Sequence, residues 1–204
     1  MVIRRLEKTD NRSGFTSGDD HLDQFFRKNA RQAQERRLST TYVAVDDAVA
    51  VDDAVIMGFV TVVGAELSPT RLSEQARKRL PRASLPVLRL ARMAVATAHR
   101  RKGIGKQLLA QVFKLAHEQA ERSGCVGVVV DAKPGAISFY KPFGFEDWDS
   151  SRATCLVRRL LRRCILRSAQ YLACDIGTSA EFAWRPAGGR NPPPSPAEPA
   201  ASKG

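Results

Sequence analysis

The sequence predicts an α/β domain with a basic appendage, and three observations carry that reading. From Val87 to Ala132 a strand, a basic glycine turn, a long amphipathic helix and a second strand follow one another, which is a β-α-β unit. Two β-branched and aromatic runs precede it, Thr40 to Val45 (TTYVAV) and Val55 to Val63 (VIMGFVTVV). Past Val157 the composition turns arginine-rich and then proline-rich. A chain of 204 residues that is 43% hydrophobic buries one full core, and a second large domain would crowd the count.

The elements follow in order. Ser17-Gly-Asp-Asp is a polar cluster suited to helix entry, and Leu22, Phe25, Phe26 and Ala30 come after it at helical spacing. Between and into the two strand runs stands AVDDAV in tandem, Ala44 to Val49 and Ala50 to Val55. Its paired aspartates invite a metal reading, but no further ligands accompany them, and a hairpin with a lengthened acidic turn accounts for them. The breaker-rich LSPTRLSEQARKRLPRASLP leads into VLRLARMAVA (Val87 to Ala96), a central strand bearing Arg89 and Arg92. Ile104, Leu108, Leu109, Val112, Phe113, Ala116 and Ala120 recur at threes and fours, so Gly103 to Gly124 is a helix of several turns, closed by Gly124. VGVVVDA (Val126 to Ala132) is a short continuous apolar run, as in a strand covered on both faces.

Composition limits the function classes. No apolar stretch approaches the ~20 residues of a membrane span, and MVIRRLEKTD has no apolar leader segment, so a cytoplasmic protein is expected. Cys125, Cys155, Cys164 and Cys174 lack CxxC pairing and read as reduced thiols, with no metal expected. His21, His99 and His117 are scattered and read as surface residues, with His99 near the basic turn. The net charge of +12 divides evenly: 24 basic against 18 acidic residues up to position 150, and nine against three beyond it. That balance favours phosphate-rich partners.

The basic turn itself, His99 to Leu109, reads HRRKGIGKQLL. The first turn of a helix leaves backbone N–H groups without partners and carries a partial positive charge, so an anion is stabilised there. Gly103 and Gly105 remove Cβ atoms where an anion approaches, while Arg100, Arg101, Lys102 and Lys106 can neutralise it. A tight strand-to-helix turn with solvated bases is the competing reading, and a lone GxG does not exclude it.

Arg100-Arg-Lys-Gly-Ile-Gly105 matches the R-x-x-G-x-G/A signature of GNAT-type N-acetyltransferases. The preceding LARMAV resembles their splayed fourth strand, and Phe139-Tyr-Lys-Pro-Phe-Gly-Phe145 matches their FYxxxGF element. The likeness covers roughly Phe15 to Phe145. FTSGDDHLDQFFRKNA, TTYVAV, LPVLRLARMAV and VVVDAKPGAISFYKPFGF narrow it to the branch of toxins, from toxin-antitoxin pairs, that acetylate aminoacyl-tRNA.

The resemblance implies the GNAT acyl-CoA N-acyltransferase fold, a mixed central sheet flanked by helices, over residues 1–157. It implies that acetyl-CoA is the acetyl donor, its pyrophosphate held by N–H groups from Arg101 through Gly103, Ile104 and Gly105 to Lys106. Its pantetheine would lie like an extra strand along Met93 and Val95, and an N–H near Met93 or Ala94 would steady the oxyanion. Tyr140 becomes the general acid that returns a proton to the CoA thiolate. No general base stands out. An α-amine, with a pKa of about 7.7 to 8.0 against about 10.4 for lysine, is partly neutral near pH 7 without one. Arg77, Lys78, Arg79 and Arg82, with Arg27, Lys28 and Arg31, would meet the phosphates of a tRNA. A ribbon-helix-helix antitoxin and a second copy in a homodimer are the other partners implied.

Beyond Phe145 the likeness fades. The family closes its sheet with a further strand, and Ala153 to Val157 (ATCLV) is the candidate. Competing with it, Leu156, Val157, Leu160, Leu161, Cys164 and Ile165 fall on one helical arc with Arg158, Arg159, Arg162 and Arg163 opposite, predicting a basic amphipathic helix. The end, RPAGGRNPPPSPAEPAASKG, has the composition of a disordered tail. Residues 158–204 read as an RNA-binding or membrane-surface appendage, or as an ending that departs from the ancestral one. Two alternatives to the tRNA-acetylating reading stay open: acetylation of a protein N-terminus or small amine, and a non-catalytic module that binds nucleic acid or antitoxin.

Overall fold

The computed structural model describes residues 1–46, 55–68, 83–147 and 155–159. Most of the AVDDAV tandem, the segment with Arg77, Lys78, Arg79 and Arg82, and the chain after Arg159 lie outside these residues.

β1 (Val2–Arg5), β2 (Thr40–Val45), β3 (Ile56–Leu67) and β4 (Leu85–Val95) pair antiparallel in succession. β5 (Gly127–Asp131) runs parallel to β4. β7 (Cys155–Arg159) lies antiparallel between β5 and the two-residue β6 (Glu146–Asp147). The order β1-β2-β3-β4-β5-β7-β6 makes one mixed sheet with β4 in the middle, as the sequence predicts.

Helices cover both faces. α1 (Asp20–Gln24) is capped by the Asp19 carboxylate, which accepts from the Leu22 N–H, and it continues through a π-helical turn (Phe25–Asn29) into α2 (Ala30–Glu35). α3 (Ile104–Ser123) crosses from β4 to β5 and ends at Gly124, whose φ of +86° suits a residue without Cβ. The one-turn α4 (Ile137–Tyr140) follows β5.

Alternation along the strands sorts the core into two layers. Ala44 and Val60 face α3 together with Leu108, Leu109, Val112 and Ala116. Their neighbours Val43, Val45 and Phe59 face the other way, onto Phe15, Phe26 and Ala30. There Phe26 stacks on Phe59 at 4.3 Å and Phe15 meets both rings edge-on. Between sheet and α3, a Cβ on Gly58 would stand 3.0 Å from the Ala94 carbonyl oxygen and 3.1 Å from Leu108, so glycine sets the close approach of the helix.

One expectation is corrected. The arc predicted as a helix from Leu156 is strand β7 as far as Arg159, and the sheet-closing strand predicted at Ala153 to Val157 is shifted towards the C-terminus. The edge of β5 explains the outcome: without β7, the N–H and C=O groups of Gly127 to Asp131 on that side would lack ladder partners. Leu160 to Ile165 lie outside the described residues.

Candidate active site

The sheet opens because β4 contains an extra residue. Thr61 pairs with Arg92 and Val62 pairs with Leu90, so Ala91 is a bulge. The bulge inverts the alternation: Leu88 and Leu90 face the α3 layer before it, Met93 and Val95 after it, while Ala94 turns to the opposite layer. It also ends the pairing with β5, which is confined to Leu88–Leu90 against Val128–Val130. Met93 to Val95 therefore present a backbone edge on the β5 side with no ladder partner among the described residues.

At the top of this cleft the chain makes a short 3-10 turn (Thr97–His99) and enters α3. Arg101 and Gly103 are left-handed, with φ of +61° and +78°. For Arg101, which carries a Cβ, this conformation is costly. No side chain caps α3, and its first i→i−4 bond is donated by Gln107 to the Gly103 carbonyl, 3.2 Å away. Arg100, Arg101 and Lys102 are exposed around this N-terminus, and Lys106 is half-buried. The two glycines serve different ends. Nothing lies within 4 Å of a Cβ on Gly103, so its φ is the requirement; a Cβ on Gly105 would stand 3.4 Å from the Phe139 ring and 3.8 Å from Val95.

Phe139 links the turn to Tyr140, whose ring it meets edge-on at 5.1 Å. Tyr140 is 5% exposed and packs also against Phe145, and its hydroxyl has no hydrogen-bond partner among the described residues. Burial pushes its pKa up to about 12, so the phenol keeps its proton across the physiological range. The half-buried Phe139 carries no charge, and its only sequence signal is its place in FYxxxGF.

The segment Thr16 to Asp19 straps the α1 entrance to the mouth of the cleft. The Thr97 N–H donates to the Thr16 carbonyl at 3.0 Å, and the Arg100 guanidinium donates to the Ser17 carbonyl. The Ser17 N–H and hydroxyl both donate to the buried Asp23 carboxylate, at 2.8 and 2.5 Å. Asp19 pairs with Lys133, beyond β5, which holds its carboxyl below the usual carboxylate range. Sequence reasoning saw this stretch only as a helix entrance, because the partners stand 83 and 114 residues away.

The predicted residues thus divide. Met93, Val95, Ile104 and Tyr140 pack into one cluster with Phe139, which Gly105 abuts; Ala94 lies in the opposite layer, and Arg100 to Gly103 are exposed at the entrance to α3. Arg77, Lys78, Arg79 and Arg82 lie outside the described residues. Arg27 is not a free helix-face cation, since it donates to the Phe15 carbonyl, and Arg31 pairs with Glu35 at 3.3 Å. Cys125 is a free, buried thiol whose pKa burial raises. Among the described residues no cluster of His, Cys, Asp or Glu could hold a metal, and no helix is long and apolar enough to cross a membrane.

A mixed sheet split beside its central strand, an uncapped helix N-terminus ringed by exposed bases and a protonated buried phenol are features suited to a transferase for a phosphate-bearing acyl donor. The chain belongs to the GNAT acetyltransferase family, whose domain matches residues 37–147. It is similar to a tRNA-acetylating toxin of Mycobacterium tuberculosis, at 27% identity over 144 residues that span 70% of this chain and 82% of the relative. Among solved structures it resembles AtaT complexed with acetyl-methionyl-tRNAfMet, with a TM-score of 0.71 and 20% identity over 84% of this chain and 98% of that one. It also resembles a Tyr-to-Phe mutant of the AtaT toxin bound to the C-terminus of the antitoxin AtaR and acetyl-CoA, with a TM-score of 0.67 and 17% identity over 83% and 96%.

Proposed function

We propose that the protein is an acetyl-CoA-dependent toxin that acetylates the α-amine of aminoacyl-tRNA and so blocks translation. The observation that carries the chemistry is the juxtaposition of the split strand edge at Met93–Val95, the uncapped α3 N-terminus and the protonated Tyr140. The acceptor class is supported by the M. tuberculosis relative.

In this reading the N–H groups from Arg101 to Lys106, with the charges of Arg101, Lys102 and Lys106, hold the donor pyrophosphate; Arg100, expected to join them, is bonded to the Ser17 carbonyl and serves the strap instead, and the edge of Met93 and Val95 pairs with the pantetheine. The substrate amine attacks the thioester carbonyl, with an N–H near Met93 or Ala94 facing the oxygen. A C–N bond forms, the C–S bond breaks, and the thiolate takes its proton from Tyr140. The proton released by the amine makes up the balance. Arg77, Lys78, Arg79 and Arg82 join the RNA contacts, the domain boundary expected after Val157 moves past Arg159 because Arg158 and Arg159 belong to β7, the chain beyond serves as an appendage, and the protein works in the cytoplasm, where charged tRNA is found. A ribbon-helix-helix antitoxin is the regulatory partner, on the precedent of AtaT with AtaR, and a homodimer is the assembly to look for by sedimentation.

Incubation with labelled acetyl-CoA and separate pools of charged tRNA, protein and small amines tests this. Label is expected in charged tRNA and not in deacylated tRNA, which lacks the α-amine. Transfer to peptide or small amine alone would keep the enzyme class and reject the toxin reading. Donor binding without any transfer would favour a non-catalytic module.

A further inference from the structure

A cleft of about 430 Å³ outside the catalytic split is lined by Asp10, Asn11, Arg12, Ser13 and Arg27. Its two arginines are held on backbone carbonyls. Arg12 donates one Nη to the Phe26 carbonyl at 3.2 Å, and Arg27 donates Nε and one Nη to the Phe15 carbonyl. This leaves donors over. Arg12 Nε is buried without any partner, and the second Nη of Arg12 and Nη1 of Arg27 have none among the described residues. The nearby carboxylates are largely taken: Asp10 is engaged by Arg4 at 2.6 and 3.0 Å and by the Glu7 N–H at 2.7 Å, and Asp23, 3.9 Å from Arg27 Nη2, accepts from the Ser17 N–H and hydroxyl.

We propose that this cleft binds a phosphodiester of the RNA substrate between Arg12 and Arg27, a site that rests on the aminoacyl-tRNA reading above. Guanidinium forks already fixed by backbone contacts lose little freedom on taking up phosphate oxygens through their remaining Nη donors. Desolvation by burial, and then the nearby Arg31, lower the Arg12 pKa against the opposing pull of Asp10 and Glu35. The cleft adjoins the acceptor side. The Phe15 carbonyl held by Arg27 belongs to the residue before Thr16, whose carbonyl is bonded to Thr97 at the mouth of the split. An RNA whose aminoacyl end enters that mouth carries its phosphates outward past this point.

The test is charged-tRNA binding by fluorescence anisotropy over a salt series, with wild type, Arg12→Gln and Ser13→Glu. Arg12→Gln should flatten the slope of log K against log salt by about 0.7 to 0.9, one phosphate contact. Ser13→Glu, at an exposed rim position and independent of the arginine packing, should weaken binding about tenfold at low salt, with the deficit vanishing at high salt. Both should bind acetyl-CoA as wild type does. Wild-type affinity and slope in folded Arg12→Gln and Ser13→Glu would overturn the site while leaving the toxin reading intact. A wild type that binds no tRNA at all overturns both. Displacement of an acidic peptide from the cleft with unchanged RNA slopes assigns it to a protein partner and overturns the proposal.

Discussion

At the scale of single residues, Tyr140 and the two glycines of the basic turn make the sharpest demands. Tyr140→Phe removes one hydroxyl and almost no volume, and that hydroxyl bonds to nothing among the described residues, so packing and acetyl-CoA binding should survive. Turnover should fall by about 10² to 10⁴ if Tyr140 delivers the proton, and equal rates in both proteins would remove it from the mechanism. The same substitution has a pH signature. Because the folded-state pKa of about 12 lies above the phenol's ordinary value of 10.0, its contribution to stability is intact below pH 10 and is lost as pH rises through 12. Tyr140→Phe should therefore soften alkaline unfolding above pH 10, read by denaturant midpoints at pH 8 and 11. The glycines should separate in the same assay. Gly103→Ala puts a Cβ into open space but at a φ of +78°, costing about 1 kcal/mol. Gly105→Ala sits at the start of a helix with ordinary van der Waals contacts to Phe139 and Val95, and should change stability by less than that.

At the scale of elements, β7 shows both the reach and the limit of the sequence. A chain ending at Val157 loses the Gly127↔Arg159 and Val128↔Arg158 pairs and exposes the outer edge of β5; one ending at Arg159 keeps them. The shorter chain should melt several degrees lower, about 1 to 2 kcal/mol at roughly 2–4 °C per kcal/mol. Equal melting temperatures would mean that the last two pairs contribute nothing. The sequence offered β7 only in part, as Ala153 to Val157, because the run from Leu156 also fits a helical arc, and an unpaired sheet edge, a tertiary fact, decides between them. β1 escaped for a related reason: VIRR is too short and too charged to announce a strand, and it is one through its pairing with Val45 to Tyr42. The long helix, β2, β3 and β5 were legible, since their patterns admit one period. The central strand at Val87 to Ala96 was legible too, but not the inversion of its alternation, which only the register with β3, placing Ala91 as the bulge, reveals. Motif residues of the site could be read directly. The strap from Thr16 to Asp19 could not, because its bonds run through backbone carbonyls, which no side-chain pattern encodes.

At the scale of the molecule, the sheet separates two helical layers, and the strap is where they meet the chemistry. Motif arithmetic treats Arg100, Arg101 and Lys102 as equivalent charges for a phosphate, yet Arg100 spends its guanidinium on the Ser17 carbonyl while Lys102 is exposed. Ser17 in turn is bound to Asp23 in α1, and Asp19 to Lys133 beyond β5, so hydrogen bonds and an ion pair tie α1 to the basic turn and to the end of β5. Arg100→Ala should release that coupling. A hydrogen bond from a charged donor contributes about 1.5 to 3 kcal/mol when shielded, and solvent exposure here reduces it to roughly 1, so amide exchange over Ser17 to Leu22 should quicken about fivefold. The acceptor KM should rise with it, whereas the acetyl-CoA Kd should shift less than in Lys102→Ala. Lys102→Ala should show the converse, weaker donor binding with exchange at Ser17 to Leu22 unchanged. Two neighbours in one basic motif would then hold two jobs, one on the ligand and one on the scaffold. If Arg100→Ala instead leaves exchange untouched and weakens acetyl-CoA as much as Lys102→Ala does, Arg100 is a phosphate ligand and the strap has no part in joining the two layers.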